Sequence, residues 1–199
     1  PSIMRTFNID PVSYAQAGAD AITAPNGANF ARERGILPAM LEEFWAQREE
    51  AKARDDALAS YTYKIIMNSF YGVLATGSCR FASDALAGAI TEFGHYILRW
   101  AQERLQERGV RVIYGDTDSV FVDPGLADEC PAVEAQAVGT ALCAEVNDEL
   151  ARHIEAEYGV ESHLELEFDK YYPRFLLPPM RGSQRGRAKG YAGLRGSGA

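Results

Sequence analysis

Two short runs rich in β-branched and aromatic residues, Val110-Arg111-Val112-Ile113-Tyr114 and Ser119-Val120-Phe121-Val122, are separated only by Gly115-Asp116-Thr117-Asp118. Strand-forming runs joined by so short a Gly/Asp segment predict an antiparallel hairpin. Its tip carries two carboxylates at i and i+2. They repel each other unless a cation neutralises them. Hard oxygen ligands on a tight turn suit Mg²⁺, which keeps several waters and takes the rest of its shell from substrate phosphates. The competing reading is an Asp-rich turn held by its own local hydrogen bonds.

Helices surround this hairpin. Residues 11–35, with Pro11 and Pro25-Asn26-Gly27, predict mostly loop and one short helix. Ile36 to about Arg54 predicts a helix, with Pro38 in its first turn and Leu37, Leu41 and Phe44 as its apolar stripe. A turn at Asp55-Asp56 leads into a second helix over 57–75 with Ile66, Phe70, Val73 and Leu74 as its stripe. So brief a connection predicts an antiparallel helical hairpin. A third helix over 83–108 stops at Gly109 and a fourth runs over 131–157. The alternation in His163-Leu-Glu-Leu-Glu-Phe168 predicts a strand with one buried face, and Tyr171–Leu177 and Ala188–Leu194 predict two more. Helices mixed with antiparallel strands give an α+β class.

On the second helix Lys64, Asn68 and Tyr71 recur at i, i+4 and i+7, so they share one face opposite the stripe. A cation, an amide and an aromatic in line suit a phosphate, a sugar or base edge, and a stacked base. Arg48 and Lys52 extend the stripe of the preceding helix beyond its apolar part. The bland alternative pairs them with Glu49 and Glu50 on the surface.

The net charge of −8 conceals an asymmetry: residues 1–169 carry −15, from 13 Lys/Arg against 28 Asp/Glu, whereas 170–199 carry +7 with no acid. A basic tail behind an acidic body points to phosphate. The 47% hydrophobic content supports a real core, and no apolar run approaches the ~20 residues of a membrane span. Cys79, Cys130 and Cys143 are widely spaced and odd in number, and His95, His153 and His163 lie near no ligand partner. Thiols in a reducing cytoplasm are expected, rather than disulfides or zinc. The opening Pro1-Ser2-Ile3, without Met, suggests a piece of a longer chain.

Lys64-Ile-Ile-Met-Asn68-Ser69-Phe-Tyr71-Gly72 resembles motif B of the family B DNA polymerases, and Tyr114-Gly-Asp-Thr-Asp-Ser119 resembles their motif C. Ile36-Leu-Pro with Met40-Leu, followed by Arg48 and Lys52, resembles the fingers helix, and Pro1-Ser2-Ile3-Met4 the end of motif A. Leu164–Phe168, Arg174-Phe-Leu, Arg181-Gly182, Arg5-Thr-Phe and Ile9-Asp-Pro11 are most similar to the bacterial DNA polymerase II branch. Four motifs in the right order at family spacing form a specific match.

The resemblance implies a partial palm, built on an antiparallel sheet with the catalytic hairpin, and an inserted fingers hairpin. Residues 1–35 would be the palm start and connecting loop, 36–75 the fingers, 76–180 the palm and 181–199 a basic tail contacting primer–template. It implies that Asp118 is the shared metal ligand and Asp116 its companion. Arg48, Lys52 and Lys64 would clamp the triphosphate, with Asn68 and Tyr71 at the nascent base pair. Lys189 and Tyr191, helped by Arg185 and Arg187, would hold DNA, although two basic positions of the family's Lys-Lys-Arg-Tyr element are replaced here. The chemistry implied is two-metal nucleotidyl transfer with two Mg²⁺, or Mn²⁺ in substitution, from dNTPs to a primer 3′-OH. The motif A aspartate would lie upstream of Pro1, so the piece alone is expected to be inactive. Exonuclease, N-terminal and thumb regions would be its partners, in a bacterial cytoplasm. Two alternatives compete: a non-catalytic nucleotide- or DNA-binding module of polymerase descent, and a nucleotide cyclase, which has no need of the helical clamp.

Overall fold

The computed structural model describes residues 1–127, 130–178 and 189–194. These contain helices α1 (Ser2–Thr6), α2 (Pro11–Ala15), α3 (Ile36–Ala53), α4 (Ala57–Ala75), α5 (Asp84–Glu107) and α6 (Ala132–Tyr158). The strands are β1 (Ile22–Thr23), β2 (Asn29–Phe30), β3 (Arg111–Asp116), β4 (Ser119–Asp123), β5 (Arg174–Leu176) and β6 (Ala192–Leu194). The class is α+β, as expected. Among the described residues the strands form three separate antiparallel ribbons, β1–β2, β3–β4 and β5–β6, rather than one sheet. The chain divides into two compact units, Pro1–Tyr96 with Ile154–Leu164, and Ile97–His153 with Glu165–Ala199.

In the first unit, the rings of Phe7 and Phe93 stack with centroids 3.6 Å apart and Tyr158 meets them edge-on. Two neighbouring polar side chains organise the entry to α3. Asp10 is buried at 1% exposure and caps α2 through the Val12 and Ser13 N–H groups, while its other oxygen accepts from Leu37 N–H in the first turn of α3. One carboxylate thus satisfies the orphan donors of two helices. Asn8 accepts from Gly35 N–H and donates to the Ala31 and Glu33 carbonyls. Gly35 must lack a side chain here, because a Cβ would stand 2.5 Å from Cβ of Asp10. Region 11–35, expected as mostly loop, holds α2 and also the small β1–β2 ribbon around Pro25-Asn26-Gly27.

Helices α3 and α4 form the expected hairpin, turning at Asp55, whose φ is 56°. Phe44 packs against Tyr63 and Phe70. The contact stripe of α4 is Tyr63, Met67, Phe70 and Leu74, whereas Ile66 and Val73 are 37% and 38% exposed. This corrects the stripe expected from sequence. Ile65, Ile66 and Met67 are consecutive apolar residues, so only the partner helix selects which of them is buried.

In the second unit, Ala101, Leu105, Val110 and Val146 form a core joined by Trp100, Val112, Val120, Val122, Leu142 and Leu166. The chain leaves α5 at Gly109, whose φ of 76° suits a residue without Cβ. Arg108 then pairs with Glu145 and Glu149 of α6. The segment 163–168 is not a strand. Its exposure alternates as predicted, with Glu165 and Glu167 outward and Leu166 and Phe168 half-buried. Instead of a neighbouring strand, the Asn147 side-chain amide donates to Leu166 C=O at 2.9 Å and accepts from Leu166 N–H at 2.7 Å. The last two strands are shorter than expected and pair with each other, Phe175 opposite Gly193. Cys79, Cys130 and Cys143 are all free thiols. No helix among the described residues is long and apolar enough to cross a membrane.

Candidate functional site

In the second unit, β3 and β4 pair from Arg111–Asp123 to Asp116–Ser119, with an irregularity at Ile113. The tip is tight: Asp118 N–H donates to Asp116 C=O at 2.6 Å. Thr117 adopts φ of 54°, an uncommon conformation for a β-branched residue. Each carboxylate receives a local hydroxyl, Asp116 from Thr117 at 3.0 Å and Asp118 from Ser119 at 3.2 Å. The pair is not equivalent. Asp118 is exposed and forms no ion pair among the described residues, whereas Asp116 is half-buried and faces Lys189, Nζ to Oδ2 3.6 Å.

Lys189 and Tyr191 come to the hairpin together. The Lys189 backbone N–H donates to the Tyr114 hydroxyl at 3.0 Å, and Lys189 itself has φ of 59°. The Tyr191 ring lies 4.9 Å from Phe121, 5.4 Å from Phe175 and 6.3 Å from Tyr114. Arg185 and Arg187, with Arg181, Gly182 and Ala188, lie outside the described residues. The donor chemistry at the tip, two carboxylates held by a short turn, fits Mg²⁺ or Mn²⁺. No group of three or more acidic, His or Cys side chains converges among the described residues. Glu165 and Glu167 therefore add no ligand to the pair.

In the first unit, Arg48, Lys52 and Lys64 line one cleft of about 350 Å³ between the ends of α3 and α4, with Ser60 and Tyr61 on its α4 side. The cleft also contains Asp55 and Asp56, and Asp56 is occupied in capping α4 through Ala59 N–H. The cations differ in their partners. Lys52 pairs with Glu49 at 2.7 Å, as the surface alternative anticipated. Arg48 has no carboxylate partner among the described residues, and its guanidinium lies 5.7 Å from the Trp45 ring centre. Asn68 and Tyr71 are exposed on the Lys64 face of α4, and the Tyr71 hydroxyl stands 3.5 Å from that of Thr91.

Sequence reasoning missed three residues that shape these sites. Asn8 and Asp10 anchor the start of α3, and the Asp10-Pro11 pair carried the signal as a capping aspartate before a helix-initiating proline. Trp45 had no local signal, because its role rests on what its ring faces.

Comparison with known proteins supplies a consistent frame. The sequence profile described as DNA polymerase family B matches residues 8–180. The chain is 42% identical over 199 residues to DNA polymerase II of Escherichia coli K12, covering 98% of the chain and 25% of that protein. It is 28% identical over 209 residues to the DNA polymerase delta catalytic subunit of Candida albicans, covering 89% of the chain and 19% of that protein. The family B DNA polymerase structure from the archaeon Pyrobaculum calidifontis superposes with a TM-score of 0.62 at 26% identity, over 98% of this chain and 24% of that one.

Proposed function

The chain belongs to DNA polymerase family B, and from that premise we propose that it is the segment of a DNA-dependent DNA polymerase carrying the fingers and much of the palm. It spans 25% of the Escherichia coli protein and 19% of the Candida one. On this reading 36–75 is the fingers hairpin, 1–35 and 76–180 belong to the palm, and 181–199 tracks primer–template DNA. Exonuclease, N-terminal and thumb regions complete the enzyme, in a bacterial cytoplasm.

The observation that carries the reading is the convergence of Arg48, Lys52 and Lys64, from two helices, on one cleft. Three cations on one cleft, against the two carboxylates Asp55 and Asp56, leave a net positive site suited to a dNTP triphosphate and to the pyrophosphate that leaves it. Asn68 and Tyr71, on the same face as Lys64, would line the nascent base pair. Asp118, with Asp116 beside it, would hold Mg²⁺, or Mn²⁺ in substitution, and the chemistry supplied by the bound ions is two-metal nucleotidyl transfer. The exposure of Asp118 supports its role as the ligand, and the Lys189 contact supports a companion role for Asp116.

The test is template-directed primer extension by the full-length protein. Asp118→Asn is expected to abolish incorporation and leave primer–template binding in place, and steady extension by that variant sinks the assignment. The 199-residue chain alone is expected not to extend primers, because among the described residues only the Asp116–Asp118 pair comes together, fewer carboxylates than two ions held side by side need. Extension by the isolated chain above background overturns that part.

A further inference from the structure

Among the cations of α3, Arg48 has an unusual partner. Lys52 and Arg54 face Glu49 and Glu50 along the helix, while Arg5 and Arg34 both engage Glu42. Arg48 meets no carboxylate among the described residues. It lies three residues after Trp45, on the same helical face, with its guanidinium carbon 5.7 Å from that ring centre. Its Nε is buried and meets no acceptor among the described residues.

We infer that Trp45 is a positioning residue for nucleotide binding, holding the Arg48 guanidinium at the cleft by its π face and leaving the charge uncancelled. This rests on the reading of Arg48 as a triphosphate contact. A carboxylate partner would occupy the guanidinium fork and neutralise it. A ring attracts the cation without consuming N–H donors, which lie in the guanidinium plane; with Nε buried, the terminal Nη groups are the ones left to meet phosphate oxygens. The ring is itself steadied from elsewhere. Arg5, on α1, lies 5.5 Å from the same ring centre and 3.8 Å from Glu42, a carboxylate it shares with Arg34. Arg5, Trp45 and Arg48 thus form a stack whose outer cation meets no carboxylate in an ion pair among the described residues, although Asp55 and Asp56 line the same cleft.

The experiment is steady-state nucleotide incorporation by the full-length polymerase with single and double variants. Trp45→Leu is expected to raise the dNTP KM three- to tenfold with a smaller change in kcat. Trp45→Phe, which keeps a ring, should restore KM to within twofold of the parent. In an Arg48→Ala background, Trp45→Leu should add nothing, since no guanidinium remains to be positioned. Losses that multiply in the double variant, or no rescue by Phe, would show that Trp45 acts through packing alone and overturn the inference. If Trp45→Leu does not fold, Trp45→Met, flexible and apolar but ringless, carries the same comparison. An Arg48→Ala enzyme with unchanged KM would remove the triphosphate reading itself, whereas an impaired Arg48→Ala with additive Trp45 effects removes only this step.

Discussion

Lys189 and Asp116 are 73 positions apart in sequence, yet the ammonium of one lies 3.6 Å from a carboxylate oxygen of the other. The contact is set by backbone geometry as well as by charge. Lys189 takes a left-handed conformation that turns its N–H onto the Tyr114 hydroxyl, on the strand that ends in Asp116. A proposed DNA contact and a proposed metal-site companion therefore share one anchor.

That sharing separates the two aspartates. Asp116→Asn should lower incorporation less than Asp118→Asn, and should leave primer–template affinity unchanged or slightly tighter, because it releases Lys189. Lys189→Ala should weaken primer–template binding several-fold and reduce the slope of log K against log [salt] by about 0.9, the loss of one phosphate contact. Salt-titrated binding of labelled primer–template measures both. Equal losses for the two aspartates would reverse their ranking.

The cations of the cleft should also be unequal. Arg48→Ala and Lys64→Ala should each raise the dNTP KM and lower kcat, at roughly 1.5–3 kcal/mol per charge-assisted contact. Lys52→Ala should cost less, since Glu49 already occupies its ammonium. Unchanged kinetics with a lowered melting temperature in all three variants would return them to a structural role.

Asn147 supports a prediction about stability. Its amide makes two hydrogen bonds to the backbone N–H and C=O of Leu166, which no strand among the described residues satisfies. Asn147→Ala should destabilise the protein by about 1–3 kcal/mol, near one for each bond lost in a half-buried place. Denaturant unfolding measures it, and an unchanged midpoint with unchanged m would mean that water replaces the amide at no cost.

His163 gives a pH dependence of known sign. Burial, then repulsion from Arg5, hold its imidazole below the ordinary 6.5, with Glu161 opposing and Arg34 adding to the depression. A depressed folded value means that the neutral form is favoured in the native state. Stability from this site is complete above pH 6.5 and is lost as pH falls through the lower folded value. His163→Gln should flatten the melting temperature below pH 6.5 relative to the parent. Parallel profiles would assign the acid limb to other groups.

Much of this was legible in the sequence, and the reasons differ by element. The ends of α3, α4 and α5 were marked by Pro38, Asp55-Asp56 and Gly109, local signals that need no partner. Arg48, Lys52 and Lys64 followed from helical spacing. The buried face of α4 did not, because Ile66 and Met67 are both apolar and only packing against the facing helix decides between them. The alternation at 164–168 correctly placed Glu165 and Glu167 outward, but pattern alone could not reveal that an amide from α6 replaces a strand. Lys189 meeting Asp116 depends on contacts across the chain that no window contains.

The segment 164–168 has the hydrophobicity of a strand and no strand beside it among the described residues. Asn147 occupies the Leu166 N–H and C=O that a neighbouring strand would otherwise take, which blunts the segment's edge as a template for pairing. The outward glutamates at 165 and 167 place negative charge on that edge, so two copies laid side by side would bring like charges together. Their contribution then lies in colloidal behaviour rather than in chemistry. Exchanging them for Thr or Val would leave the native contacts of Leu166 and Phe168 intact, and is expected to raise light scattering at high protein concentration by removing two outward charges that flank an apolar run.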